Sequence, residues 1–264
     1  MTTVFGTRMG LAALVLGLAA SPALATPTNL ITNGSFSSTS FPTGYVSHQM
    51  STGVSNVTGW TTGSGVVGDW GSAYNFIFAP GTADTTGAYT PQNGGSFITL
   101  WGSNNGGLNT ITTSPDGGNF LAADGAYETS AISQIVTGLT AGSYYTVSFY
   151  YAGAQQSGFL GATTEAWTVS FGNQSYTTPV INNPSKGFSG WYSAAYTFQA
   201  NASTQTLSFL ASGTPSGQPP FALLDGVSMV ASVPEPASWA ILIVGMAGLG
   251  GLAAFRRRTQ NTSV

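Results

Sequence analysis

Hydrophobic and polar residues alternate strictly in several runs along the chain. Tyr145, Val147, Phe149 and Tyr151 share one face of an extended segment, with Thr146, Ser148 and Tyr150 on the other. Trp167, Val169 and Phe171 repeat the pattern, as do Leu207, Phe209 and Ala211. Each run predicts a strand with one face buried and the other polar or open to solvent. No helical period persists between the two ends of the chain, and Gly, Ser, Thr and Asn punctuate the apolar runs. About ten strands are expected, at the spacing of an all-β sandwich or jelly roll. Gly142 in "GLTAGSYY" is placed to take positive φ in a turn between two of them. From about residue 37 to 115 the apolar runs are short and separated by "TTGSGVVGDWG", "TADTTGAYTPQNGG" and "WGSNNGG". These read as long polar loops, the kind that carry binding surfaces. With no Pro-rich or charged linker and no internal repeat, residues 27–231 read as one ectodomain.

The two ends break this pattern. Arg8, the apolar run Met9 to Ala20 and the small-x-small site Ala23-Leu24-Ala25 predict a signal peptide over residues 1–25, removed by signal peptidase. Near the other end, Trp239 to Phe255 is apolar without interruption and is followed by Arg256, Arg257 and Arg258. Counted from Ala237, that run has the length of a transmembrane helix, and the arginines predict a cytoplasmic tail.

"VPEPASWA", the apolar run and "RRR" together resemble the PEP-CTERM sorting signal of surface proteins from exopolysaccharide-making Gram-negative bacteria. The resemblance covers residues 233–258 and rests on Pro234, Glu235, Pro236, Trp239, Arg256, Arg257 and Arg258. It implies recognition by an exosortase, cleavage near Pro-Glu-Pro, and passage from the inner membrane to the cell surface or extracellular matrix. Pro234 and Pro236 forbid a helix there and hold Glu235 in an extended segment that an enzyme cleft can grip.

Charge and side-chain inventory narrow the chemistry. Only 5% of the chain is charged. Between residues 26 and 232 a single cation, Lys186, faces seven carboxylates, a net charge of −6 that excludes nucleic-acid binding. The absence of cysteine excludes disulfides, and one histidine, His48, with no Gly-x-Ser-x-Gly elbow leaves no serine or cysteine nucleophile with a base. The same inventory excludes zinc. Glycosidase chemistry would draw its carboxylate pair from Asp116, Asp124, Glu128 and Glu165, although Asp-Gly at 116 and 124 reads as turn-forming. Saccharide binding needs an aromatic platform beside amides and hydroxyls. Trp60, Trp70, Tyr74 and Trp101 are the candidates, lying in or beside the polar loops near Asp69, Asn75, Asn104 and Asn105. Trp167 is instead assigned to the core by its alternating neighbours.

"NLITNGSF", "DGGNFLAADGAYETSAISQIVTGLTAGSYYTVSFYYA" and "PPFALLDGVSMV" resemble the opening, middle and closing strands of galactose-binding-like jelly rolls. That resemblance implies a structural calcium between the first turn and the last strand, with Asn33, Ser35 and Asp225 as local ligands. Ser37 stands where the family often has an acid, which removes one ligand. The sequence reading is therefore a non-enzymatic, exported surface or matrix protein associated with exopolysaccharide. Its rivals are a carbohydrate-active enzyme with a loop carboxylate pair and a structural coat or adhesion protein without a sugar ligand.

Overall fold

The alternating runs become the longest strands of two facing sheets. The computed structural model describes residues 27–41, 48–53, 55–65, 71–89 and 97–232, so the signal peptide expected over residues 1–25, Trp70, Asp69 and the whole 233–258 segment lie outside the described residues. In chain order the strands are β1 (His48–Gln49), β2 (Thr61–Thr62), β3 (Asn75–Phe78), β4 (Ala88–Tyr89), β5 (Phe97–Ile98), β6 (Phe120–Asp124) and β7 (Ile132–Thr137). Then follow β8 (Tyr144–Gln155), β9 (Thr163–Phe171), β10 (Gln174–Thr177), β11 (Ile181–Asn183), β12 (Tyr192–Gln199), β13 (Thr204–Thr214) and β14 (Pro220–Ala231). One sheet runs β12-β8-β14-β6-β3-β1-β4-β5, and the other β10-β9-β13-β7-β2 with β11 beside β9. Pairing is antiparallel except between β1 and β4. Among the described residues no helix is long and apolar enough to cross a membrane.

The main core lies between the sheets and contains the faces that the alternation predicts: Tyr145, Val147, Phe149 and Tyr151 of β8, Trp167, Val169 and Phe171 of β9, and Leu207, Phe209 and Ala211 of β13. Their opposite faces are not charged. Cross-strand hydroxyl pairs cover them instead, Thr146 with Thr197 at 3.1 Å, Thr168 with Thr177 at 3.1 Å and Thr164 with Thr214 at 2.6 Å. Such rows give the sheets a polar exterior without ions.

The larger sheet departs from the half-buried expectation, because a second core sits on its outer face. Phe76 and Phe78 of β3, Phe120 and Ala122 of β6, Ala152 and Ala154 of β8, and Phe221 and Leu223 of β14 pack there under Ile98, Leu100 and Ile111. The described polar loops over residues 79–89 and 97–115 are thus largely a cover pinned by apolar anchors. Strands buried on both faces read as continuous apolar runs, which explains "FLAA" and "FALL". In β14 a bulge between Asp225 and Ser228, with Gly226 at φ 60°, shifts the phase by one residue. Val227 and Met229 thereby rejoin Leu224 in the main core.

Trp60, expected as a loop platform, is a core residue with no exposed surface. Its ring packs 5.2 Å from Phe36 and 6.1 Å from Phe209, and its indole N–H donates to Asn33 O at 3.0 Å. Burial of an indole this large with its N–H satisfied leaves neither face for a sugar. Trp60→Ala is expected to destabilise the fold by about 3–5 kcal/mol in urea denaturation.

Glu165 is also inside the sandwich. Its Oε1 accepts from Thr163 Oγ1, its buried Oε2 has no hydrogen-bond partner, and a Cβ at Gly153 would stand 2.5 Å from that oxygen. Burial pushes its pKa up to about 8, against a smaller lowering by the Thr163 hydroxyl. Because the folded pKa lies above the unfolded 4.5, this group favours folding most below pH 4.5 and loses that contribution as pH rises to about 8. Glu165→Gln is therefore expected to raise Tm by about 5 °C at pH 8 and by much less at pH 4.5, read by thermal denaturation at both values. An equal gain at the two pH values would remove the ionisation account.

Candidate functional site

Loops at the end of the sandwich where β8 stops and β14 starts enclose a cleft of about 310 Å³. Tyr74, Asp124, Ala126, Tyr127, Gln156, Phe159, Gly217 and Pro219 line it. Backbone bonds hold these segments together. Asp124 N–H donates to Tyr74 O at 3.0 Å, and Tyr74 N–H to Glu128 O at 2.9 Å. Gly125 N–H reaches Pro220 O at 2.8 Å and Gly213 N–H reaches Gly125 O at 2.9 Å. A side chain at Gly125 would stand 2.5 Å from Gly213 N, so only glycine permits this approach.

The aromatic surface of the cleft belongs mainly to Tyr127, half-buried, and Phe159, 38% exposed. Tyr74 is 5% exposed and meets Tyr127 edge-on at 5.1 Å, supporting that ring from below. Asp124 forms the turn expected of it: Oδ1 accepts from Ala126 N–H at 2.8 Å and Tyr127 N–H at 3.1 Å. Burial nevertheless raises its pKa to about 7, those two N–H groups offsetting part of the rise. Near neutral pH this carboxyl can thus either donate to or accept from a hydroxyl group. The Phe159 loop is held by the indole N–H of Trp101, which donates to Phe159 O at 2.8 Å, and by Gln155 Nε2, which donates to Gly161 O at 3.0 Å.

The four predicted platform residues therefore separate. Trp60 is core, Trp70 lies outside the described residues, and Tyr74 is in the cleft as a support more than a surface. Trp101 stands behind the Phe159 loop with Lys186 Nζ 4.7 Å from its ring centroid, so a cation covers one face. The nearby amides are structural: Asn104 bonds Asp84 through its N–H and Nδ2, Asn105 bonds Leu100 O and Gly102 N–H, and Asn75 bonds Thr62 and Ser130. Tyr127 and Phe159 were missed. Both stand one or two residues after a glycine in short polar loops, "ADGAY" and "QSGF", and an unperiodic aromatic in such a position was the available signal.

The carboxylates considered for glycosidase chemistry are dispersed. Asp124 lines the cleft, Asp116 stands by Gly226 on the outer sheet face, Glu165 is sealed between the sheets, and Glu128 is buried against Gly65. Asp116 belongs to a second hollow of about 440 Å³ that also includes Ser148, Tyr150, Ser193 and Ser228.

The 33–35 turn packs on β14, with Val227 N–H donating to Gly34 O at 3.1 Å. Asn33, however, spends its amide on Ser38 N–H, Ser38 O and Thr58 O. Asp225 is fully buried; its pKa is raised to about 7 by burial, with Asp116 adding to the rise and Ser114 and Gly226 N–H opposing it. Neither Asp225 oxygen has a partner in good hydrogen-bond geometry. Among the described residues no three histidine or acidic side chains gather to hold a metal, and a calcium at Asn33, Ser35 and Asp225 rests on the jelly-roll resemblance alone.

Among known structures, the chain is similar to TmCBM61 in complex with beta-1,4-galactotriose, with 13% identity over 78% of this chain and 99% of that one and a TM-score of 0.39. It is similar to the enzymatically active domain of tailspike protein 4 of bacteriophage CBA120, with 15% identity over 77% of this chain and 21% of that one and a TM-score of 0.38. The C-terminal CBM6 of LamC from Zobellia galactanivorans is 10% identical over 50% of this chain and 98% of its own, with a TM-score of 0.29. No curated protein matches the sequence. The PEP-CTERM protein-sorting motif matches residues 232–258, which implies an exported protein processed by an exosortase. A family described as a protein of unknown function, DUF642, matches residues 75–229, a span that contains the cleft carboxyl, both exposed cleft aromatics and both long central strands. The chain belongs to the DUF642 family and carries a PEP-CTERM sorting signal at its C-terminal end.

Proposed function

We propose that this exported protein is a non-enzymatic surface or matrix protein whose β-sandwich binds neutral saccharide chains of the exopolysaccharide layer through the cleft at Tyr127 and Phe159. The observation that carries this reading is the cleft's chemistry: two accessible rings beside one carboxyl and the Gln156 amide. A pyranose offers an apolar face to an aromatic ring and a rim of hydroxyls to polar groups, and the cleft offers both kinds of partner.

The ligand class follows from charge. Among the described residues no cation lines the cleft, and Lys186, the one cation between residues 26 and 232, is held over Trp101. A uronate chain would meet Asp124 and a net charge of −6 with no compensating cation. Binding without hydrolysis is supported by the single carboxyl among the described lining residues, since glycoside hydrolysis ordinarily needs two flanking the bond. After exosortase processing the protein is placed at the cell surface or in the matrix of a Gram-negative cell, where such polymers accumulate.

Affinity electrophoresis in gels containing a neutral β-glucan or galactan, compared with polyuronate, tests the reading. Retardation is expected in neutral polymer only. Phe159→Ala and Tyr127→Ala are each expected to weaken it about tenfold while leaving the thermal transition within a few degrees of the parent. Asp124→Asn preserves the turn acceptor and is expected to remove any pH dependence of binding near pH 7. Retention in polyuronate, or undiminished retention of both aromatic variants, would reject the cleft as the site.

A further inference from the structure

Both ends of the described sandwich emerge at one pole. In β14 the chain runs from Pro220 opposite Gln155 to Ala231 opposite Tyr145, and its last bond is Ser232 N–H to Tyr144 O at 2.8 Å. At the start, Leu30 N–H donates to Met229 O at 2.8 Å and Asn29 Oδ1 accepts from Met229 N–H at 2.9 Å, which places residues 27–29 beside that same strand end. Turns 138–143, 172–173 and 200–203 complete this pole. They are joined by Gly142 N–H to Ala200 O at 2.7 Å, Leu139 N–H to Ser203 O at 3.1 Å and Gln174 Nε2 to Gln199 O at 2.7 Å.

Among the described residues this pole carries no charged side chain. Its turns are built from Gly, Ala, Leu, Ser, Thr and Asn, with Tyr144 54% exposed at the rim. The described carboxylates are elsewhere: Asp225 is level with Tyr150 in mid-strand, Asp116 stands beside Gly226, and Asp124, Glu128 and Glu165 are at or near the cleft end. Asp84, bonded to Asn104, and Lys186, whose N–H donates to Gln155 Oε1, also belong to the cleft half. The two poles are separated by the length of β8 and β14, 12 residues each, or about 40 Å.

The sorting signal begins where the fold ends. Val233 alone separates Ser232 from Pro234, and the apolar run starts at Trp239. The six residues between Ser232 and Trp239 let those two positions stand at most about 25 Å apart. We propose that, while the precursor is anchored, the uncharged pole formed by turns 138–143, 172–173 and 200–203 lies against the lipid surface and the cleft pole points away from it. This rests on the reading of residues 239–255 as a membrane span. An uncharged, hydroxyl-rich pole can approach anionic headgroups without repulsion, the acidic half of the domain is kept at a distance, and Tyr144 has the amphipathic ring that suits the interface. The cleft would then be available to extracellular polymer before the tail is cut.

The protein contains no cysteine, so single labelling sites can be introduced. In the full chain, Ala202→Cys at the uncharged pole and Ser216→Cys at the cleft pole, both exposed, would each carry a donor fluorophore. The precursor would be reconstituted into phosphatidylethanolamine and phosphatidylglycerol vesicles containing a headgroup-labelled acceptor lipid. Energy transfer at Ala202 is expected to exceed that at Ser216 by at least about twofold, given the separation of the poles. Equal transfer, or the reverse order, overturns the orientation while leaving the anchor intact. A contrast seen only when exosortase is co-reconstituted overturns the lipid contact and assigns the pole to the enzyme. Failure of the full chain to float with the vesicles overturns the membrane-span reading and the orientation with it.

Discussion

The antiparallel pairing of β8 with β14 is the constraint on which the rest of the structure depends. Each strand has 12 residues, and the ladder crosses the domain from Gln155 opposite Pro220 to Tyr145 opposite Ala231. Side chains on its inner face enter the main core, while Ala152, Ala154, Phe221 and Leu223 on its outer face enter the second. Over its cleft half, Tyr151–Gln155 against Pro220–Leu224, the ladder is buried on both sides and protected from solvent competition for its hydrogen bonds, and its full length fixes where the connecting loops emerge. The cleft loops leave one end and the chain ends leave the other.

That polarity also accounts for the charge distribution. A surface with few ions depends on hydroxyl rows such as Thr146 with Thr197, while most of the carboxylates are taken inward. Asp124, Glu165 and Asp225 all have raised pKa values for the same cause, burial, yet their surroundings give them different parts. Asp124 faces a cleft and shapes its turn, Glu165 is enclosed by the sandwich, and Asp225 stands at the bulge that returns β14 to phase. Only the first of these lines the cleft.

Much of the fold was legible because alternation reports local geometry. The inner faces of β8, β9 and β13, the buried Trp167 and the positive φ of Gly142 all follow from short stretches of sequence. The second core was hidden because its cover is non-local: Ile98, Leu100 and Ile111 lie in or beside short apolar runs between polar loops, and only the folded sheet reveals what they anchor to. Trp60 illustrates the same difficulty at one residue, since an aperiodic tryptophan has one sequence signature whether it is exposed or buried against Phe36 and Phe209. In "LLDGVSMV" the bulge at Gly226 breaks the period, which concealed the inward turn of Val227. The site suffered most: its parts come from residues 74, 124–127, 156–159 and 217–219, which nothing in the linear order places together. Export was readable because Pro-Glu-Pro, the apolar run and the arginines are contiguous.

A crystal structure of the ectodomain grown with a neutral oligosaccharide tests the central claim most directly. A pyranose ring against Tyr127 and Phe159, with a hydroxyl within hydrogen-bond distance of Asp124 or Gln156, is the predicted result. A saccharide seated instead in the hollow formed by Ser148, Tyr150, Ser193 and Ser228, with the cleft empty, would contradict it.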